Sequence, residues 1–82
     1  MQDAQTLAEK AIRLHLAARN KNQAWLAAQL GESTFWVGRR LNGAIAFKIT
    51  DLERIAALFG RTVDELLTDA DKIPTGPQAV AS

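Results

Sequence analysis

Only three residues, Gly31, Glu32 and Ser33, separate two stretches of the chain that favour helix. Gly31 readily takes the left-handed conformation that closes a helix, and Ser33 is a residue type that caps the start of one. The sequence therefore predicts a helix from about Asn22 to Gly31 and a second over about residues 34–41. So short a connection requires the two helices to cross steeply.

The helical periodicity elsewhere predicts three further helices, and no segment predicts a strand. We expect the first helix from about Asp3 to Arg19. We expect the fourth to open with the capping box of Thr50 and Glu53 and to end at Gly60, and a short fifth to open with Thr62 and Glu65 and to end near Leu67. The predicted fold class is thus all-α, a compact domain of five helices.

The pattern changes after Leu67. The segment "TDADKIPTGPQAVAS" holds two prolines and a glycine and shows no apolar periodicity. Such a composition favours a flexible segment over a packed helix. We therefore predict a domain over residues 1–68 and a flexible C-terminal tail over residues 69–82.

The side chains around the three-residue connection fit one motif. Ala27 is small enough for a close crossing, while Leu26, Leu30 and Val37 are placed to point inward. With Gly31 at the corner, this is the spacing of a helix-turn-helix, in which the second helix lies in the DNA major groove.

Positive charge is concentrated in the middle of the chain. Residues 19–48 hold five cations against one anion, Glu32, which gives this segment a net charge of +4 although the whole chain carries only +1. The five cations are Arg19, Lys21, Arg39, Arg40 and Lys48. This distribution indicates a cationic face, as expected of a protein that binds nucleic acid.

Other classes of function find little support in the sequence. The chain has no cysteine, no apolar run of the roughly 20 residues that a membrane span needs, and no apolar block near its start. The carboxylates Asp51, Glu53, Asp64 and Glu65 lie in predicted first helical turns, where they complement the helix dipole. We assign His15 no role. We therefore expect no enzyme, no cofactor, no metal ion, no small-molecule substrate, no membrane association and a cytoplasmic location.

The segments "NQAWLAAQLGESTFWVGRRLNG" and "DLERIAALFGRTVDELL" resemble the Cro/phage-repressor, or lambda-repressor-like, class of helix-turn-helix domains. The resemblance covers about residues 7 to 67. It implies a compact five-helix domain that binds double-stranded operator DNA, usually as a homodimer, in bacteria and phages.

Candidate base-contacting residues lie on the third helix. By the resemblance, Thr34 and Phe35 occupy the start of the recognition helix. Arg39 follows Phe35 by one turn on the same face and can bond guanine, while Phe35 can pack on a thymine methyl group. Gly38 would allow close approach of the backbone to DNA.

Candidate phosphate-contacting residues surround that helix. By the resemblance, Gln23 opens the second helix and Asn42 follows the third, both against the DNA backbone. The complete predicted set is Lys21, Asn22, Gln23, Ser33, Arg40, Asn42 and Lys48. The sequence departs from the family pattern at Arg40, where an apolar residue is common, and at Leu41, where a polar one is common. Either the core register at the end of the third helix differs slightly from the family pattern, or Leu41 shares the core packing.

Two aromatic residues in this region are interpreted as structural. We expect Trp25 at the edge of the core, and Trp36 in the core or at its rim rather than against a base.

The leading hypothesis is a dimeric transcription regulator whose third helix reads half of a palindromic operator. Apolar groups of the later helices and loop, with Phe47, Phe59 and Leu67 as candidates, would join the two copies, in solution or only on DNA. Two alternatives stay open: an antitoxin-like protein-interaction module on the same fold, and the N-terminal DNA-binding part of a longer repressor.

Overall fold

The computed structural model describes residues 3–72, which form five α-helices and no strand. The helices are α1 (Ala4–Ala18), α2 (Gln23–Leu30), α3 (Thr34–Leu41), α4 (Ile49–Leu58) and α5 (Val63–Lys72). The predicted all-α, five-helix fold is confirmed. None of these five helices is long and apolar enough to cross a membrane.

The first three helices begin where their capping residues predict. The side chain of Asp3 accepts a hydrogen bond from the amide of Thr6 at 2.8 Å, and Asn22 and Ser33 make the equivalent bonds at the starts of α2 and α3. Each bond satisfies an amide that the helix itself leaves without a partner. These boundaries are set by local chemistry, so they are visible in the sequence.

The corner between α2 and α3 has the predicted geometry. Gly31 ends α2 in the left-handed conformation, with φ +71°, and the amide of Glu32 bonds the carbonyl of Ala27 at 2.9 Å. Leu26, Ala27 and Val37 are all buried, as the helix-turn-helix spacing requires. The corner therefore fixes α3 against α2 through contacts that the sequence indicates.

A single apolar core joins all five helices. It includes Leu41, which bears out the alternative in which this residue shares the core packing, and Trp25 and Trp36 lie partly buried against it. The core residues outside α2 and α3 belong to α1, to the loop before α4, to α4 and the residue that follows it, and to α5. They are Ala8, Ala11, Ile12, Leu16, Phe47, Leu52, Ile55, Ala56, Phe59, Leu66 and Ala70.

The predicted start of the fourth helix is wrong by two residues. The capping residue is Lys48, whose backbone amide bonds the carboxylate of Asp51 at 3.0 Å, and not Thr50 paired with Glu53. Asp51 is buried beneath the loop, so it can reach back to the amide of Lys48, whereas Glu53 is exposed. The capping box of Thr62 and Glu65 at the start of α5 is confirmed by two reciprocal bonds.

The fifth helix is longer than predicted. It continues past Leu67 to Lys72 because Asp69 and Ala70 are buried against the rest of the domain. Residues 69–72 of the predicted tail therefore belong to a helix, while its remainder, residues 73–82, lies outside the described residues.

A buried polar network explains this extension. Asp69 accepts two hydrogen bonds from the guanidinium of Arg61, at 2.9 and 2.7 Å, and contacts Nε2 of His15 at 2.7 Å. The other nitrogen of His15, Nδ1, accepts from Arg19 at 2.8 Å, and the imidazole stacks on Phe59. The network ties α1 to α5 and gives His15 a structural position.

Two of the apolar residues expected at a dimer interface are not exposed. Phe47 and Phe59 are 4% and 5% exposed, and Leu67 is only partly so. The side chain of Phe47 points from the loop into the core, and the ring of Phe59 stacks on His15, so neither side chain is available to contact a second copy. The large apolar side chains that are exposed among residues 3–72 are Phe35, Ile49 and Leu58.

Candidate nucleic-acid interface

The outward face of α3 presents an aromatic ring and a cation together. Thr34, Phe35 and Arg39 are exposed, while Val37 and Leu41 on the opposite face are buried. Phe35 is 70% exposed, and the guanidinium of Arg39 lies over its ring, 5.1 Å from the centroid. The third helix thus has the predicted two faces, one in the core and one in solvent.

Gly38 lies in the middle of α3, against the side chain of Gln23. A Cβ atom added to Gly38 would lie 3.4 Å from Oε1 of Gln23. A side chain at this position would therefore touch the amide of Gln23, which shows how closely Gln23 approaches α3. The start of α2 and the exposed face of α3 are brought together, which places Gln23 next to the predicted base-reading residues.

Three predicted phosphate contacts already use their side-chain oxygens. Asn22 and Ser33 accept bonds from the amides at the starts of α2 and α3, and Asn42 accepts from the amide of Ala44 at 3.0 Å. All three side chains are exposed. The two asparagine NH₂ groups and the serine hydroxyl hydrogen remain as donors, and a phosphate, which only accepts, needs donors.

The cations of residues 19–48 divide into two groups. Arg19 and Arg40 bond groups within the domain. Lys21, Arg39 and Lys48 are exposed, and none of the three forms a hydrogen bond or ion pair through its side chain with another residue of the described 3–72 segment. Fewer cations of this segment are therefore free to bind a partner than its net charge of +4 indicates.

Arg40 is placed differently from the other predicted phosphate contacts. Its side chain is only 14% exposed, lies 3.9 Å over the ring of Trp36, and donates to the carbonyl of Trp36 at 3.2 Å. Its Nε is buried at 4.0 Å from the carboxylate of Asp51. This position joins α3 to α4. The predicted phosphate contact of Arg40 stays a prediction that its burial disfavours.

Two arginines that the sequence interpretation did not single out hold the helix-turn-helix in place. Arg13 of α1 donates to the carbonyl of Leu41, at the end of α3, at 3.0 Å. Arg54 of α4 donates to the carbonyl of Leu30, at the end of α2. The last carbonyls of a helix lack partners within it, and a cation there also complements the helix dipole. The sequence shows the arginines but not which distant carbonyl each one bonds.

The loop that carries Lys48 is fixed by a side chain of α1. Gln5 donates to the carbonyl of Phe47 at 3.0 Å and accepts from its amide at 2.7 Å. The side chain of Gln5 thus satisfies both backbone groups of Phe47, as a neighbouring strand would in a sheet. It sets the position of Lys48, the next residue, relative to α3.

Comparison with known proteins adds a family to this geometry. The family model described as BetR domain matches residues 4–81, nearly the whole chain. Searches of curated proteins and of solved structures return no significant match. With a helix-turn-helix corner, an outward face on α3 and a family match over almost its full length, the chain belongs to the BetR domain family, a helix-turn-helix-like family of DNA-binding domains.

Proposed function

We propose that this protein is a sequence-specific transcription regulator of the Cro/phage-repressor kind, with α3 as the helix that reads operator DNA. The observation that carries the proposal is the exposed face of α3, where Phe35 and Arg39 lie together and Gln23 lies alongside. An exposed arginine beside an exposed apolar ring suits the major groove, which offers guanine acceptors and thymine methyl groups.

Bases and phosphates would be contacted by different groups. Thr34, Phe35 and Arg39 would reach base edges, with Gly38 allowing close approach of the helix. Neutral donors at the ends of α2 and α3, together with the exposed lysines, would bond phosphates and fix the register of the protein on the duplex. These neutral and cationic groups are Asn22, Gln23, Ser33, Asn42, Lys21 and Lys48.

The regulator would act as a homodimer on DNA. Two copies of α3 would enter successive turns of the major groove, about 34 Å apart, on a palindromic operator. Occupancy would block RNA polymerase, or recruit it at some promoters. We propose a cytoplasmic protein without enzymatic activity, cofactor or metal ion.

Selection of bound duplexes from a random DNA pool, with the stoichiometry of the complex measured in parallel, tests this function. We expect a two-fold symmetric motif bound by two copies. Failure to enrich any sequence would contradict operator reading and favour a protein-interaction module on the same fold.

The first substitution expected to change specificity is Arg39→Ala. If the guanidinium bonds guanine O6 and N7, its loss should remove about 1–3 kcal/mol of discrimination at one base pair of each half-site. Binding constants for the selected duplex and its single-base variants measure this. Equal weakening on every sequence would instead place Arg39 on phosphate.

Gln23→Ala should weaken binding to all duplexes by the same factor. A hydrogen bond to a charged group contributes about 1.5–3 kcal/mol, so the loss should be roughly tenfold or more. The matched control is Gln29→Ala, which removes an exposed glutamine from the other end of α2. Gln29→Ala should bind as the unchanged protein does, and equal effects of the two substitutions would refute the contact.

A further inference from the structure

Phe35 and Arg39 form a single structural unit on α3. The two residues are one helical turn apart, and the guanidinium covers one face of the ring with 5.1 Å between its carbon and the ring centroid. A cation over an aromatic face is attracted by the ring's quadrupole. Each side chain therefore restricts where the other can point, although both are exposed to solvent.

The separation within this pair limits which base pairs the two side chains can reach together. Stacked bases rise by about 3.4 Å, so 5.1 Å exceeds one step and is shorter than two. A guanidinium in the plane of one base pair consequently leaves the ring within reach of that base pair or the next one, and not of a distant one. Because the guanine that Arg39 bonds pairs with cytosine, a thymine methyl group within reach of the ring belongs to an adjacent position.

The chemistry of each side chain identifies its base. An arginine that bonds a base edge bidentately selects guanine, while an exposed hydrocarbon ring can contact only the apolar group of the major groove, the C5-methyl of a pyrimidine. Covering that methyl would also remove ring surface from water, which matters for a side chain that is 70% exposed.

On this basis, and resting on the proposed function, we propose that α3 reads a two-base-pair step in which a guanine adjoins a pyrimidine that carries a 5-methyl group. The methyl, and not the rest of the pyrimidine, is what Phe35 recognises. Thymine and 5-methylcytosine both supply it, so the protein should respond to cytosine methylation at this position.

Binding to four synthetic duplexes tests the methyl contact. Each carries the selected operator, with thymine, uracil, cytosine or 5-methylcytosine in one half-site only, at the pyrimidine that adjoins the guanine lost from recognition in Arg39→Ala. We expect thymine to bind about fourfold more tightly than uracil, the effect of burying one methyl group, and 5-methylcytosine to exceed cytosine by the same factor. Both ratios should fall to one in Phe35→Ala.

The coupling between the two side chains supplies a second measurement. Because each side chain restricts the other before DNA binds, each single substitution also frees the partner that remains, so Phe35→Ala and Arg39→Ala together should weaken binding about two- to tenfold less, for each half-site, than the product of the single effects. Leu58→Ala, which truncates another exposed apolar side chain, is the control and should keep both methyl ratios. Thermal unfolding of each variant confirms that it is folded.

The outcomes separate this inference from the proposed function. A selected motif with no pyrimidine beside the guanine would overturn the recognition of a methyl group and leave operator binding intact. Affinities that are equal for thymine and uracil, and equal for 5-methylcytosine and cytosine, would do the same. A pool from which nothing is enriched would overturn both. Affinity ratios that exceed one in the unchanged protein and in Leu58→Ala, and fall to one in Phe35→Ala, would support the inference.

Discussion

Raising the salt concentration from 50 to 200 mM should lower the affinity of the dimer for its operator about 150-fold, since roughly four cations would displace counterions from DNA phosphates. Lys21 and Lys48, the two exposed lysines proposed to contact phosphate, supply that number when two copies bind. A single copy with two such cations should lose only about twelvefold over the same range. Binding titrations at several salt concentrations therefore report both the electrostatic footprint and the number of copies.

Substitutions at Lys48 show whether this charge meets the DNA backbone. Lys48→Ala should reduce the slope of log affinity against log salt by about one for each protomer, because one phosphate contact is lost. Lys48→Arg keeps the charge and should keep the slope. A salt profile that is flat for the unchanged protein would contradict a phosphate footprint of this size.

Asp69→Asn should cost the folded domain about 3 kcal/mol, at the lower end of the roughly 3–5 kcal/mol for removing one partner of a buried ion pair. Asp69 is 5% exposed and its carboxylate bonds both Arg61 and His15, so the substitution leaves two donors with a weaker acceptor. Arg61 is 34% exposed at its side chain and recovers some hydration, which limits the cost. For a domain of this size the midpoint of thermal unfolding should fall by about 12–24 °C.

Asp71→Asn is the matched control for that prediction. Asp71 lies two residues further along α5 and is exposed, so its substitution should change the midpoint by little. Equal midpoints for Asp69→Asn and Asp71→Asn would show that the network with Arg61 and His15 does not stabilise the fold.

The same network sets an acid limit on stability. The hydrogen bonds from Arg61, assisted by His15, hold the pKa of Asp69 below its ordinary value, against the opposing effect of burial. In the unfolded chain the pKa of this carboxyl is about 3.9. The stabilisation is therefore complete above that pH, and it is lost as the pH falls through the lower pKa of the folded state. Denaturant unfolding should accordingly show the difference between the unchanged protein and Asp69→Asn shrinking below about pH 4.

Local chemistry made most of the helix-turn-helix predictable. Asn22 and Ser33 cap the helices that follow them, and Gly31 supplies the left-handed corner between them. These features act over three or four residues, so a single sequence contains both partners of each interaction. The two faces of α3 follow for the same reason, because Val37 and Leu41 share its buried side.

Long-range partners account for what the sequence did not reveal. The fifth helix extends beyond Leu67 because Asp69 meets His15, which lies 54 positions earlier in the chain. Arg13 and Arg54 bond the ends of α3 and α2 from other helices, and no local pattern identifies those carbonyls. The partners of a buried charge, or of an arginine that bonds the end of another helix, can be identified only once the fold is known.

The candidate site shows the same division. The exposure of Phe35 and Arg39 follows from helical periodicity, whereas the contact between Gly38 and Gln23 depends on how α2 crosses α3. The sequence interpretation places Arg40 among the phosphate contacts, yet Asp51 and Trp36 hold its side chain inward. Charge counted along a segment therefore overstates the charge that a surface presents.

The central claim is that the outward face of α3 is the surface that meets DNA, and backbone amide chemical shifts during titration with the selected duplex test it most directly. We predict that the largest changes fall within residues 34–42 and at Asn22 and Gln23, while the amides of α5 from Leu66 to Ala70 change little. Large changes confined to α5, with the amides of α3 unmoved at saturating duplex, would contradict the account.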